Sequence, residues 1–359
     1  MQKNGFFKDF FGTIRQDLQE TGIGTSLNRE FISIYEFYLT PEERQNLAAM
    51  PWAKRLIYRV FILLKNILLK LSPFRRLLLL IALFFLVKQQ NDVSHFFIAF
   101  IILFIILLLE LKDKLLAHDE LKAGRAVQAA LRPQKCRQVN GWQVYMYTQS
   151  ANEVGGDLID CLACEDESSG YFVGDVAGKG LGAALLMAQL QASVHALLSH
   201  VKSPAKLVSD LNRLYCRGGL ADTFISFIYL KIEPRSGIVK YVNAGHLPPI
   251  WVHKGEVFEL EKGGLALGLA KESAYNEQSQ KLEVGDFLVI YTDGLIEARD
   301  RQGYFFGETR LSKRLQLFGS ETAESAGKGL VSAVEGFVGN SPRADDLTLL
   351  LLKRVEAEK

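Results

Sequence analysis

Two kinds of apolar pattern divide the chain. From about residue 51 to residue 131 the apolar positions form long runs of helical character, and from about Gly141 onward they form short segments separated by turns. Leu77–Val87 is wholly apolar, and a second, almost unbroken run extends from Val93 to Leu109. Because a bilayer span needs roughly 20 mostly apolar residues, the second run predicts a membrane span, whereas the first spans only if its flanks contribute.

The residues around these runs predict their orientation. The segment from Trp52 to Arg76 mixes basic and apolar residues, as an amphipathic helix on an anionic membrane surface does. Basic residues also follow the second run, at Lys112 and Lys114, whereas the loop between the runs carries only Lys88. This bias favours a hairpin with both ends in the cytoplasm. A re-entrant or surface helix is the alternative for the first run, and a buried soluble pair of helices is the alternative for both.

Two further helical segments frame this region. Residues 1–50 predict a small helical segment, with a helix start at Thr40-Pro41-Glu42-Glu43, where a capping hydroxyl precedes a proline and a glutamate. Residues 111–133 carry a short apolar stripe that ends before Pro133 and predict a connector helix, whose stripe is compatible with a parallel homodimer. The predicted domain boundaries are therefore 1–50, 51–110, 111–133 and 134–359.

Strand and helix patterns intermingle from Gly141 onward. Strands are predicted at Trp142–Thr148, Tyr171–Val176, Thr223–Ile232, Ile238–Asn243, Ile250–His253, Asp286–Thr292 and Leu347–Lys353. Helices are predicted at Ala183–His200, Ala205–Tyr215, Leu311–Leu317 and Ser325–Val338. Clustered strands with paired helices predict an α+β unit in which sheets are covered by helices.

Composition narrows the function classes. The net charge of +2 gives no global argument for nucleic-acid binding. The four cysteines (Cys136, Cys161, Cys164 and Cys216) are sparse and no apolar signal segment opens the chain, so no disulfide framework is expected and the catalytic part is expected in the cytosol. The single C-x-x-C at Cys161 and Cys164 has no second ligand pair, which predicts two half-buried residues in or near a strand rather than a zinc site.

Aspartates recur at the ends of predicted strands in the C-terminal unit. Asp157 follows two glycines, Asp175 ends one strand, Asp293 closes another ahead of a glycine, and the pair Asp345-Asp346 precedes the last strand. A single Asp-Gly is most often a turn, but several such sites in one unit predict a carboxylate cluster if the strands converge. Such a cluster would need cations to stay ionised, and Mg²⁺ or Mn²⁺ suit an all-oxygen set.

Two such ions can activate a water for attack on phosphorus without a protein nucleophile. This agrees with a sequence that has no G-x-S-x-G elbow and no H-E-x-x-H helix. The alternative of a phosphate-binding P-loop at Gly174–Gly180 is poor, because the glycines are one residue too close and no Ser or Thr follows Lys179. His246 is compatible with three roles: a proton donor, a residue that supports the site residues from behind, or a turn residue that orders its loop.

Five ordered motifs resemble those of the metal-dependent protein phosphatases, in the bacterial branch typified by SpoIIE and RsbU. They are Val-Gly-Gly-Asp157, Gly-Asp175-Val-Ala-Gly-Lys-Gly, Asn-Ala-Gly-His246-Leu-Pro-Pro, Tyr-Thr-Asp293-Gly-Leu-Ile-Glu-Ala and Ala-Asp345-Asp346-Leu-Thr. The match runs from about Asp119 to Lys353, and its first part is similar to the helix that precedes this domain in the family. Residues 1–110 are not covered.

The resemblance implies an αββα sandwich with two Mn²⁺ or Mg²⁺ ions. Carried over by motif, Asp175 would bridge both ions with help from the Val176 carbonyl, and Asp157, Asp293 and Asp345 would complete the set. Asp346 is the alternative ligand in its pair, depending on the register. In this branch, switching is expected to act through the preceding helix, so residues 1–110 would sense a signal and report through Glu110–Leu131.

The resulting hypothesis is a metal-dependent serine/threonine phosphatase at the inner membrane of a bacterium. It would act on a phosphorylated regulatory protein, for which an anti-sigma-factor antagonist is the family-level expectation. Two alternatives stay open from the sequence: a catalytically silent membrane adaptor that binds a phosphoprotein, and a two-metal phosphodiesterase.

Overall fold

The computed structural model describes residues 39–48, 50–88, 93–131, 136–164, 167–198, 200–201, 203–218 and 223–357. Most of the helical segment predicted for residues 1–50 lies outside these ranges. The chain separates into two compact units, Met1–Leu115 and Leu116–Lys359.

The described part of the first unit is helical. Its elements are α1 (Pro41–Ala48), α2 (Trp52–Lys70), α3 (Pro73–Val87) and the first part of α4 (Val93–Leu131). The predicted helix start at Thr40 is confirmed, because the Glu43 amide donates to the Thr40 hydroxyl and the Thr40 amide donates to the Glu43 carboxylate. This reciprocal pair satisfies two backbone donors that a helix start would otherwise leave open.

Helices α3 and α4 have apolar surfaces that remain exposed within the chain. Phe84 is 59% exposed, Val87 is 84% exposed and Phe97 is 59% exposed. At the start of α3, Arg75 instead pairs with the α4 carboxylates of Glu110, at 2.8 Å, and Asp113. Exposed apolar side chains therefore occupy much of these two helices, and the ion pairs of Arg75 lie at the start of α3.

Two described helices are long and apolar enough to cross a membrane, α4 and α5 (Leu181–Leu198). Helix α5 belongs to the core of the second unit, where Met187, Leu190 and Val194 are buried. Helix α4 joins the predicted span and the predicted connector in one 39-residue helix that ends two residues before Pro133. Helix α3, at 15 residues, is shorter than a typical span.

The second unit contains two five-stranded antiparallel sheets. Sheet A has the order β1 (Trp142–Gln149), β10 (Leu347–Arg354), β9 (Phe287–Tyr291), β6 (Ile250–His253) and β7 (Glu256–Glu259). Sheet B has the order β2 (Leu158–Ala163), β3 (Ser169–Val176), β4 (Ile225–Ile232), β5 (Ile238–Ala244) and β8 (Gln278–Lys281). The sheets face each other across a core that includes Val173, Ile228, Ile290 and Leu350.

Helices cover the outer face of each sheet. Helices α8 (Gly307–Leu315) and α9 (Ala323–Val338) pack on sheet A, and α5 and α6 (Pro204–Gly218) pack on sheet B. Along β10 the side chains alternate, so that Leu349 and Leu351 face the helices while Leu350 and Leu352 face sheet B. The short helix α7 (Asp293–Ile296) follows β9 directly. The predicted α+β class is thus confirmed, with helix, sheet, sheet and helix as successive layers.

The cysteine prediction needs a correction. The structure joins Cys136 to Cys161 by a disulfide, with a Cα–Cα distance of 5.8 Å, whereas the sparse spacing of the cysteines predicted no disulfide framework. The reason is tertiary, because Cys136 and Cys161 both pack against the core between the sheets. Cys161 lies in β2 and Cys164 follows it, both partly buried, as the strand interpretation of the C-x-x-C predicted.

Candidate active site

The loop that carries Asp157 is held by Asp346, which lies 7% exposed at the start of the last strand. One Asp346 oxygen accepts the Ala151 amide at 2.7 Å, and the other accepts the Gly156 amide at 2.8 Å and the Asp157 amide at 3.4 Å. A Cβ atom on Gly155 would lie 2.1 Å from the Asp346 carboxylate, so glycine is required there. Asp346 therefore acts on Asp157 through the backbone of this loop.

Asp175 lies at the end of β3, where the strand is about to turn into α5. Asp175 is paired in register with Ser226 on β4. Two residues after Asp175, the Ala177 amide donates to the Phe224 carbonyl at 2.9 Å. Gly178 and Gly180 then adopt positive φ angles of 122° and 74°, and nothing lies within 4 Å of where their Cβ atoms would be. The chain thus turns sharply and leaves open space beside Asp175.

Asp293 is the first residue of α7 and follows Thr292, whose side chain links two of the predicted motifs. The Thr292 hydroxyl donates to Asp157 Oδ2 at 2.8 Å and accepts the Thr348 amide at 3.0 Å. A Cβ atom on Gly294 would overlap the Asp346 carbonyl, so this Asp-Gly permits close approach of two backbones. The ends of β9 and β10 are thereby fixed against the Asp157 loop.

The acidic side chains affect one another electrostatically. Burial, and then the charges of Asp293 and Asp345, raise the pKa of Asp175 to about 6. Burial and then the Asp175 charge raise the pKa of Asp157 well above its ordinary value. Burial and then the Asp345 charge likewise raise the pKa of Asp293. Four aspartates from distant parts of the sequence therefore occupy one neighbourhood.

A lysine lies at the rim of this acidic group. The Lys179 amine contacts Asp345 Oδ2 at 2.7 Å and donates to the Ala344 carbonyl at 2.8 Å. Its side chain is 57% exposed and that of Asp345 is 39% exposed. Asp345 therefore faces an accessible cation, in contrast to Asp346, whose oxygens face backbone amides.

Within the described ranges, no three Asp, Glu, His or Cys side chains already stand as a set that could hold one metal ion. Neighbouring carboxylates raise the pKa values of Asp157 and Asp175, and the Lys179 amine donates to an oxygen of Asp345. The Val176 carbonyl points toward this region, since it would lie 3.2 Å from a Cβ atom on Gly156. The assignment of these groups as ligands stays a prediction.

His246 is buried beside this group rather than exposed to solvent. The His246 amide donates to the Asn243 side-chain oxygen at 2.8 Å, and the Asn243 side-chain amide donates to the His246 carbonyl at 3.0 Å. Its Nδ1 lies 3.0 Å from the hydroxyl of Ser226, the register partner of Asp175. Burial lowers the pKa of His246 to about 4. These contacts favour a loop-ordering residue, with Ser226 as its link to the β3 end.

The connector part of α4 reaches the same loop. The buried Gln128 side chain donates to the Gly155 carbonyl at 2.7 Å and accepts the Gly155 amide at 3.2 Å. Near the helix end, the Leu131 carbonyl accepts the Gln191 side chain, which also donates to the buried Asp160. The end of α4 is therefore bound both to the Asp157 loop and to helix α5.

Comparison with known proteins decides the family. The family model described as Stage II sporulation protein E (SpoIIE) matches residues 165–355, more than half of the chain. The chain belongs to the SpoIIE family. Its C-terminal unit is a PP2C-like phosphatase domain, and the chain is a protein phosphatase, which makes it a hydrolase. The predicted resemblance to the SpoIIE and RsbU branch is confirmed.

Three relatives illustrate this membership. Phosphoserine phosphatase RsbU of Bacillus subtilis is 27% identical over 237 residues, which cover 66% of this chain and 70% of RsbU. The structure of the RsbU and RsbW domains of Rv1364c from Mycobacterium tuberculosis is 26% identical with a TM-score of 0.54, and the match covers 64% of each chain. The SiaA-PP2C domain of Pseudomonas aeruginosa shares the fold, with 21% identity and a TM-score of 0.60 over 67% of this chain and 98% of that domain.

The sequence motifs of this SpoIIE-family chain missed three contacts. Gln128 gave no signal, because a glutamine on a helix face is common and its partner Gly155 is distant in sequence. Thr292 and Lys179 lie within the motifs, but the motifs do not indicate which aspartates they contact. For Asp345 and Asp346, the sequence could not say which one faces solvent.

Proposed function

We propose that this chain is a membrane-anchored, metal-dependent phosphatase of phosphoserine or phosphothreonine on a regulatory protein. The observation that carries the proposal is the convergence of Asp157, Asp175, Asp293 and Asp345, where burial and neighbouring carboxylate charges raise the pKa of Asp157, Asp175 and Asp293. Carboxylates that raise one another's pKa form a site that favours a multivalent cation. The name of RsbU, phosphoserine phosphatase, supports the substrate class.

The donor set suits Mn²⁺ or Mg²⁺, because it consists of oxygens alone and because a cationic amine already occupies one of them. Asp157, Asp175, Asp293 and Asp345, with the Val176 carbonyl, would hold two ions. When bound, such ions supply an activated water and stabilise the charge of phosphoryl transfer. Asp346 is assigned a positioning role, since its oxygens already accept three backbone amides.

The chain's own residues prepare this site. Thr292 donates a hydrogen bond that fixes one oxygen of Asp157, and Asp346 fixes the loop on which Asp157 lies. Gly178 and Gly180 place no side chain beside Asp175, which leaves room there for a phosphorylated side chain. Lys179, whose side chain is 57% exposed, supplies a positive charge at the entrance.

The test uses the full chain in detergent with Mn²⁺ and a phosphoserine peptide. We expect Asp175→Asn and Asp293→Asn each to lower kcat by at least about 100-fold, because each removes charge that stabilises the bound cations. Asp210→Asn, at a surface site on α6 paired with Lys206, is the matched control and should retain activity. Unchanged turnover in both site variants would contradict the proposed site.

The membrane part of the proposal rests on α3 and α4. Their apolar side chains are exposed over most of both helices, while Arg75, Glu110 and Asp113 group at one end. This distribution suits a hairpin with that end at the cytoplasmic face of a bacterial inner membrane. The partner is proposed to be a phosphorylated anti-sigma-factor antagonist or similar regulator. Homodimerisation through the connector part of α4 is a further part of the proposal.

A further inference from the structure

A cavity of about 410 Å³ lies between helix α6 and the loop that follows Leu269. Arg213, Arg217 and Lys271 line it, together with Ser209 and Ser273, and Glu272 is the one acidic residue of the lining within the part of the chain that the structure describes. Arg213 shares Asp210 with Lys206, whereas Arg217 and Lys271 have no ion-pair partner among the described residues. The lining is thus strongly cationic in a chain whose net charge is only +2.

The cavity wall is rigidly connected to the strand end that carries Asp175. The buried Asn212 of α6 accepts the Gly268 amide at 3.0 Å and donates to the Ala270 carbonyl at 2.9 Å. The same loop pairs with the start of β4 through reciprocal bonds between Ile225 and Leu267. Phe224, one residue earlier, accepts the Ala177 amide beside Asp175. The cavity wall and the strand end that carries Asp175 are therefore linked by a short series of hydrogen bonds.

Apolar side chains are exposed in this region. Phe224 is 40% exposed, and Leu265 and Leu269 are each 54% exposed. A small free anion would leave these side chains in water, whereas a protein partner would cover them. These exposed apolar residues lie in the same region as cations that have no ion-pair partner among the described residues. This combination indicates a binding partner that is a protein and that presents an acidic segment here.

We infer that this cavity is a docking site for an acidic segment of the phosphoprotein substrate, whose carboxylates pair with Arg217 and Lys271 while the phosphorylated residue enters the active site. This inference rests on the proposed function, and it names the charge of the partner. The site would lower KM for acidic substrates and would leave the chemical step unchanged.

The experiment compares phosphoserine peptides that carry a run of glutamates, on either side of the phosphoserine, with peptides that carry glutamines instead. For the wild-type full chain with Mn²⁺, we expect KM for at least one acidic peptide to be about three- to tenfold lower than for its glutamine counterpart. In Arg217→Gln combined with Lys271→Gln, this difference should vanish at unchanged kcat. About 0.5 M salt should also remove it in the wild type.

The matched control is Lys281→Gln combined with Lys313→Gln, which removes two exposed charges from β8 and α8 and should keep the preference. Equal KM values for acidic and neutral peptides in the wild type would overturn the inference. A preference that survives in the Arg217 and Lys271 variant, or one that the control pair also loses, would overturn it too.

A binding measurement separates this inference from the proposed function. Fluorescence anisotropy of a labelled, unphosphorylated glutamate peptide should report binding to the wild type and about three- to tenfold weaker binding to the Arg217 and Lys271 variant. Turnover of p-nitrophenyl phosphate tests catalysis alone and should be equal in both. Binding without turnover in the wild type would retain the docking site and reject the phosphatase proposal, and turnover without binding would do the reverse.

Discussion

At the scale of single residues, the adjacent aspartates 345 and 346 have opposite environments. Asp346 is buried and accepts three backbone amides. Asp345 is partly exposed, and among the described residues its oxygens accept hydrogen bonds from the Lys179 amine and the Asp346 amide. A carboxylate that satisfies buried amides contributes to folding, and a carboxylate at an accessible rim contributes to ligand binding. The two substitutions should therefore have different effects.

We expect Asp346→Asn to lower the free energy of unfolding by about 1–3 kcal/mol without added metal, because the amide group cannot accept all three hydrogen bonds. Asp345→Asn should change it by less than about 0.5 kcal/mol and should instead weaken Mn²⁺ binding. Urea unfolding and titration calorimetry distinguish the two. Equal losses of stability would contradict the division of roles.

His246 should make stability depend on pH. Its pKa is about 4 in the folded chain, so the unfolded chain, with an ordinary histidine pKa, binds more protons between about pH 4 and pH 6.5. The stabilisation is therefore complete above about pH 6.5 and is lost as the pH falls toward 4, by about 3 kcal/mol in total. Thermal unfolding of the wild type and His246→Gln across this range should show a smaller pH dependence in the variant. Parallel curves would contradict this prediction.

At the scale of elements, the sequence predicted those strands whose apolar pattern is undisturbed. Ile250–His253 is observed with the predicted bounds, and β1, β3, β4, β5, β9 and β10 differ from prediction by one or two residues at their ends. Strand β2 was missed because Asp160 interrupts its apolar pattern. That aspartate is tolerated in the core since His195, at 2.7 Å, and Gln191 satisfy it, and these partners come from a helix about 30 residues away.

The site residues, like the strands, were predicted only where a local sequence pattern marks them. Motifs placed the aspartates at strand ends, but contacts between distant segments, such as Gln128 with Gly155, depend on how helices pack and leave no local pattern. The same holds for the disulfide between Cys136 and Cys161. Sequence patterns therefore predicted that the aspartates lie at strand ends, whereas the contacts that hold these strand ends depend on tertiary packing.

The Gln128 contact gives a prediction for helix α4. Gln128→Leu should release the Asp157 loop, because both backbone groups of Gly155 lose their partner. We expect about tenfold faster amide exchange over residues 151–157 and a lower affinity for Mn²⁺, measured by exchange mass spectrometry and calorimetry. Glu120→Gln, on an exposed position of the same helix, should change neither. Unaltered exchange in Gln128→Leu would show that the helix does not hold the loop.

At the scale of the whole molecule, the two units have different solvents in the proposed function. The second unit buries its apolar residues in three clusters, whereas α3 and the first part of α4 expose theirs. Exposed apolar helices of this length are stable in lipid and would aggregate in water.

Membrane attachment is tested with the full chain in bacterial cells. We expect it to stay in the membrane pellet after alkaline carbonate washing, and the second unit to be protected from trypsin added to intact spheroplasts. Introducing charge by Phe100→Asp with Phe104→Asp, a stacked pair on α4, should release protein into the supernatant, because each buried charge costs about 2.5–3.5 kcal/mol in a span. Full release of the unmodified chain by carbonate would reject the anchor.

The lysine at the rim has a consequence for the order in which the protein matures. Before a divalent cation is bound, crowded carboxylates without a counter-charge oppose folding. Lys179 supplies an internal counter-charge to Asp345 during this interval. In the proposed function, an arriving divalent cation would take the place of the Lys179 ammonium group at Asp345. We therefore expect cells starved of manganese and magnesium to accumulate this protein folded and inactive, ready for later activation.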